Sequence, residues 1–210
     1  DAAQSFGATY HGKKSCALAR IGSTSFFPSK PLGGFGDGGA LFTDDDALAD
    51  TFRQIRVHGQ AGKHQHPIIG LNGRLDTMQA AMLLVAFEHF PGEIAKRQAI
   101  ADTYYQLLSE SSTSDLQLPN IASGSTSVYA QYTILSPRRE SIKSRLEKEG
   151  IPSVSYYARP LHLQPVFKHL NYKKGDFPVS ELVSDQCLSL PMSPYLALED
   201  IRKIVKTIEE

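Results

Sequence analysis

The sequence contains no tryptophan, only two cysteines and no excess of charge of either sign. Cys16 and Cys187 stand far apart with no C-x-x-C spacing. That argues against a zinc ribbon or a disulfide framework and fits a reducing compartment, the cytoplasm. With 22 basic against 22 acidic side chains, there is no net field to attract nucleic acid or an anionic membrane surface. No apolar run approaches the roughly 20 residues needed to cross a bilayer. Small molecules and other protein subunits remain as the expected partners.

What is present is ordinary for a globular protein, 41% hydrophobic and 21% charged over 210 residues, enough for one or two cores. The unusual stretch is Ser23 to Ala40, in which Lys30 sits between Pro28 and Pro31 and ahead of five glycines in seven positions, Gly33 to Gly39. The β-branched and aromatic residues before Lys30 predict a strand end, and Ala40 to Thr43 predicts the next strand. The prolines fix φ on both sides, and the glycines let the backbone pass close to a flat or bulky group.

Two nucleotide-binding readings fail here. Gly34 to Gly39 satisfies G-x-G-x-x-G, but that fingerprint must open a helix and be followed about 20 residues on by an acidic side chain. A strand-like run follows instead, and Arg56, Val57, His58 and Gly59 occupy that neighbourhood. In a P-loop the lysine follows the glycines, whereas Lys30 precedes them. A lysine used as an amine forms Schiff bases with carbonyls or with pyridoxal phosphate. The cofactor needs an acidic partner for its ring nitrogen and donors for its phosphate, for which Asp1 and Ser25 are candidates.

Four blocks occur in order: Asp1-Ala-Ala-Gln4; Ser25-Phe-Phe-Pro-Ser-Lys30; Gly36-Asp-Gly-Gly39; and Asn72-Gly-Arg74-Leu-Asp76 with Gln79-Ala-Ala81. In wording and spacing this chain resembles the DegT/DnrJ/EryC1/StrS sugar aminotransferases. The resemblance implies an α/β fold of the fold-type I pyridoxal-phosphate aminotransferases. The chain would hold the C-terminal portion of the large three-layer α/β/α domain (residues 1–112) and a small C-terminal α/β domain (113–210). It also implies that the chain is a fragment lacking the N-terminal part, and brings with it the expectation that this fragment alone is inactive.

By the same resemblance Lys30 carries the Schiff base and shuttles the proton. Asp1 pairs with the ring nitrogen, Gln4 lies near the ring oxygen, Ser25 holds the phosphate, and Asn72 reaches the phosphate of a neighbouring subunit in a homodimer with shared sites. Tyr157, His162, Arg74 and Arg159 are the implied substrate contacts, and no metal is implied. The substrates would be glutamate and a nucleotide-linked keto sugar, a UDP-linked 3-oxo N-acetylhexosaminuronate by wording, for surface polysaccharide precursors. A non-catalytic cofactor-binding or regulatory homologue, or an enzyme for another keto sugar, is the alternative. Tyr156 stands where the family often has histidine, and Gly34 and Phe35 stand where it often has Cys and Tyr.

Elsewhere, Asp44 to Asp46 predict the cap of a helix carrying Leu48, Phe52 and Ile55 and stopping by Gly59. His64-Gln65-His66 lacks a third metal ligand at motif spacing. Asp76 with Gln79 predicts a capping pair opening an apolar helix with Met78, Ala81, Met82, Val85 and Ala86 on one face. Pro91-Gly92 is expected to break it before a second helix to Glu110. Beyond the Ser/Thr-rich connectors come predicted strands at Val128–Leu135 and Ile151–Tyr157, a helix from Arg139 to Glu149, and helices near 179–188 and 198–209.

Overall fold

A computed structural model describes residues 1–111 and 115–210. The expected domain boundary between residues 112 and 113 lies outside the described residues. The chain forms two compact units, one of residues 1–95 with 121–130 and one of 96–120 with 131–210.

In the first unit, short strands β1 (Thr9–Tyr10) and β2 (Lys13–Lys14) pair antiparallel, as do β3 (Gly22–Ser25) and β4 (Gly39–Phe42). Helix α1 (Asp46–Ile55) starts where Asp45 accepts the Leu48 amide hydrogen at 3.1 Å, the expected cap. Its chain reversal uses Gly59, whose φ is +74° and whose amide donates to the Gln54 carbonyl. A Cβ there would collide with the Ile68 carbonyl, so glycine is required.

Helix α2 (Thr77–Glu110) is continuous through Pro91, which corrects the expected break. Proline removes one intrahelical bond. Phe90 is buried and Ile94 packs against the same cluster of Leu32, Leu83 and Phe6, so both sides of Pro91 are anchored on one core. The buried face is therefore Leu83 and Phe90 with the partly buried Ala86, whereas Met78, Met82 and Val85 are exposed.

The second unit packs β5 (Tyr132–Leu135) antiparallel to β6 (Cys187–Leu190), with Ile134 opposite Leu188. Helices α3 (Arg139–Lys148), α4 (Pro178–Gln186) and α5 (Leu198–Glu209) complete it. Apolar residues at i, i+3, i+4 and i+7 of α5, Ile201, Ile204, Val205 and Ile208, are buried, as the helical period demands. Tyr104 and Tyr132 stack at 4.8 Å, and the Tyr104 hydroxyl donates to the Pro191 carbonyl at 3.0 Å.

Three expectations are corrected here. The strand expected from Val128 starts only at Tyr132, after Tyr129 takes a φ of +42°. The strand at Ile151–Tyr157 shrinks to one bridge between Val154 and Ser189, since Pro152 has no amide to donate. Residues 187 and 188 begin a strand instead of ending a helix; Cys187 to Leu190 are all buried, as in a strand covered on both faces.

Candidate functional site

The site begins at the end of β3. Ser25 pairs with Gly39 in the register, and Phe26 extends the contact by donating to the Gly38 carbonyl at 2.8 Å. The chain then turns. The Phe27 amide donates to the Ser25 hydroxyl oxygen at 3.2 Å, and the Lys30 amide to the Phe27 carbonyl at 2.8 Å. Pro31 and Leu32 are buried immediately afterwards, Leu32 in the cluster with Leu83 and Phe90. Lys30, half-buried, is thus fixed between a strand end and a core anchor.

The glycine bend follows the same logic. A Cβ on Gly33 would lie 2.5 Å from the Pro28 carbonyl oxygen, so the bend folds back onto the turn that carries Lys30. The Phe35 amide donates to Gln79 Oε1 at 2.8 Å, tying the bend to the first turn of α2. Sequence reasoning gave Gln79 a reciprocal capping role with Asp76, but its carbonyl oxygen serves the bend. Its pairing with a glycine loop 44 residues upstream has no local sequence signal.

The Asp1–Gln4 segment lies along β3. The Ala2 amide donates to the Ser23 carbonyl at 2.7 Å, and the Thr24 hydroxyl to the Ala2 carbonyl at 3.3 Å. Asp1 is exposed and its Oδ1 accepts the Ala3 amide hydrogen; Gln4 is exposed. Asn72 and Arg74 form a separate exposed pair, with Arg74 Nε donating to Asn72 Oδ1 at 2.9 Å, on a segment bridged to Val57. Ser25 and Lys30 are therefore carried by β3 and its extension and Asp1 by a segment hydrogen-bonded beside that strand, while Asn72 and Arg74 stand on another segment of the same unit.

The donor chemistry fits pyridoxal phosphate. Lys30 offers a half-buried primary amine and Asp1 a solvent-facing carboxylate. The Ser25 oxygen accepts from Phe27, which leaves its hydroxyl hydrogen to donate to a phosphate oxygen.

Tyr157, Arg159 and His162 belong to the second unit. Tyr157 and Arg159 are exposed, and both line a groove of about 980 Å³ with Leu161, Val166, Phe177 and Val179. The His162 side chain is buried, with Nε2 3.0 Å from Glu181 Oε1. Among the described residues, no helix is long and apolar enough to cross a membrane. Cys16 and Cys187 are buried and unpaired, and burial pushes both thiols up from their ordinary pKa.

Comparison with known proteins matches residues 1–209 to the DegT/DnrJ/EryC1/StrS aminotransferase family. A UDP-2-acetamido-2-deoxy-3-oxo-D-glucuronate aminotransferase of Pseudomonas aeruginosa is 47% identical over 204 residues, covering 97% of this chain and 55% of that protein. A pleiotropic regulatory protein of Geobacillus stearothermophilus is 44% identical over 210 residues, 100% of this chain and 56% of that protein. Among solved structures, a DegT DnrJ EryC1 StrS aminotransferase from Brucella abortus superposes with a TM-score of 0.92 at 44% identity, over 99% of this chain and 55% of that one. S. venezuelae DesV, solved with a ketimine intermediate, gives a TM-score of 0.95 at 34% identity, over 99% and 56%. The α/β aminotransferase fold expected from the sequence is the fold of this chain. The chain spans about half the length of the curated relatives it matches.

Proposed function

Because this chain belongs to the DegT/DnrJ/EryC1/StrS aminotransferase family, we propose that the protein it comes from is a pyridoxal-phosphate-dependent transaminase. It moves the amino group of glutamate to a keto group on a nucleotide-linked sugar. The observation that carries this reading is the seat of Lys30: a half-buried amine between the end of β3 and a glycine bend that folds back on it. When bound, the cofactor supplies an electron sink for carbanionic charge at the substrate carbon.

This chain's residues do the rest. Asp1 would keep the ring nitrogen protonated, Gln4 would lie near the ring oxygen, and Ser25 would donate to the phosphate. Lys30 Nζ holds the cofactor and then moves a proton to or from the substrate carbon. Tyr157, Arg159 and Arg74 are the substrate contacts, the arginines suited to a uronate carboxylate or diphosphate by charge-assisted hydrogen bonds. Because one relative aminates a UDP-linked 3-oxo glucuronate by name, a UDP-linked 3-oxo N-acetylhexosaminuronate is the proposed sugar. Two copies pair, with Asn72 of each reaching the other's phosphate site; the exposed Met78, Met82 and Val85 of α2 support such an interface. The unpaired cysteines support a reducing, cytoplasmic setting.

The test uses the full-length protein. Glutamate should convert its absorbance to that of the aminated cofactor, and only a nucleotide-linked keto sugar should reverse the change. Reversal by simple keto acids alone would favour a general amino-acid transaminase. The regulatory relative favours a second reading, a cofactor-binding regulator. Cofactor binding without turnover of either substrate would select it.

A further inference from the structure

In the second unit a single carboxylate ties two loops to the start of α4. Glu181 stands in the first turn of that helix. Its Oε1 accepts from the Gly175 amide at 2.7 Å and from His162 Nε2 at 3.0 Å, and its Oε2 from the same amide at 3.0 Å. A carboxylate can only accept, so His162 Nε2 carries the hydrogen. The two side chains are 6% and 12% exposed, so these bonds compete little with water. The Phe177 ring lies 4.8 Å from the imidazole, and Tyr172 meets Phe177 edge-on at 5.1 Å, so two aromatic rings pack in series against His162. The Gly175 amide, and after it His162, hold the Glu181 carboxyl below its ordinary pKa, so the carboxyl is ionised at neutral pH.

Residues of both clasped loops line the groove described above. Leu161 and Tyr157 flank His162 on one side, and Asp176 and Phe177 follow Gly175 on the other. Tyr157 and Arg159, both exposed, sit in the loop that His162 ties to α4 through its bond to Glu181. A flexible loop offering an arginine and a tyrosine loses binding energy to ordering, which prior fixation avoids.

We propose that Glu181 and His162 are positioning residues: they hold the Tyr157–Arg159 loop in the conformation that receives the nucleotide-linked sugar. This rests on the reading of Tyr157 and Arg159 as substrate contacts. It assigns His162 a role through the loop instead of direct contact with the sugar, in keeping with its burial. Glu181 has no motif of its own; its function comes from bringing together residues 162, 175 and 181.

The test compares full-length wild type with Glu181→Ala, Glu181→Gln and His162→Phe, the last keeping a ring against Phe177 without a donor. Hydrogen exchange should speed up at Gly175 by about tenfold in Glu181→Ala, the effect of losing a charged acceptor. It should speed up across 157–164 in both Glu181→Ala and His162→Phe. The KM for the keto sugar nucleotide should rise about tenfold, while the glutamate half-reaction stays within about twofold. Glu181→Gln, which keeps an acceptor oxygen, should recover part of both effects. Unchanged exchange overturns the clasp. Faster exchange with an unchanged sugar KM, or equal loss in both half-reactions, overturns the positioning role. If wild type turns over no keto sugar nucleotide, the transaminase reading fails and the positioning role with it, while exchange alone still decides whether the clasp exists.

Discussion

Gln79 Oε1 accepts the Phe35 amide hydrogen at 2.8 Å, joining the first turn of α2 to the bend that follows Lys30. A Cβ on Gly34 would lie 3.1 Å from Gln79 Oε1 and one on Gly36 3.3 Å from Gln79 Nε2, so the bend is moulded around the Gln79 side-chain amide. One such bond contributes about 1 kcal/mol, or roughly a fivefold change in an equilibrium. Gln79→Ala in the full-length protein should weaken pyridoxal phosphate binding by about that factor, and Gln79→Glu, which keeps an acceptor, should weaken it less. Identical affinities in titration would count against a role for the bend in shaping the cofactor site.

Leu32 ties the Lys30 turn to the core. It is 6% exposed and clustered with Leu83 and Phe90. Leu32→Ala should cost about 2–5 kcal/mol, the range for a leucine removed from a packed core, and should slow formation of the borohydride-reducible link at Lys30. Denaturant unfolding and mass spectrometry of the reduced protein check the two effects. Loss of stability without any change at Lys30 would show that the anchor does not position the amine.

Acid should loosen the second unit. Arg138 Nε and Nη2 donate to Asp115 at 2.7 and 2.8 Å and hold its carboxyl below the ordinary value of 3.8. Glu181 lies below 4.5, mainly through the Gly175 amide. Each carboxyl is more acidic folded than unfolded, so the unfolded chain binds more protons in the acid range. The stabilisation is present above the unfolded values and is lost as pH falls through the folded ones. Melting temperature should therefore decline below those values, and Asp115→Asn should lower it at neutral pH while flattening the decline. Asp115 is 30% exposed, so the effect should be modest. An unchanged acid slope in Asp115→Asn would dismiss this pair as a contributor.

What the sequence made legible was periodic or local. The cap among Asp44 to Asp46, the β3–β4 neighbours of Lys30 and the helix near 198–209 all follow from spacing and side-chain chemistry within a few residues. The failures involve long-range compensation. Pro91 looks like a terminator until Phe90 and Ile94 are seen on one cluster. Cys187 and Leu188 look like the end of a helix until Leu135 and Ile134 are placed opposite them. Lys30, Ser25 and Asp1 were named as candidates from the sequence because they sit in short blocks with their own local chemistry. Gln79 and Glu181 were not, because each acts on backbone or side chains brought to it by folding.

The last prediction concerns Asn72 and the exposed face of α2. Met78 is 71% exposed and Val85 60%, an apolar stripe that water would not select and a second copy would cover. In a two-fold dimer each Asn72 would complete the other copy's site. A dimer of one Lys30→Ala copy and one Asn72→Ala copy then contains one site with both residues intact and one with neither. Random mixing makes half the dimers mixed, so activity should recover to about a quarter of wild type, above the residual activity of either variant alone. Reassembly of the two full-length variants, with mixed dimers verified by native mass spectrometry, gives the measurement. If the mixed dimers are no more active than the separate variants, Asn72 acts within its own subunit and the shared-site arrangement is wrong. A charge placed in the stripe, Val85→Glu, supplies the independent arm: it should shift the protein towards monomer in sedimentation, and an unchanged dimer would move the interface elsewhere.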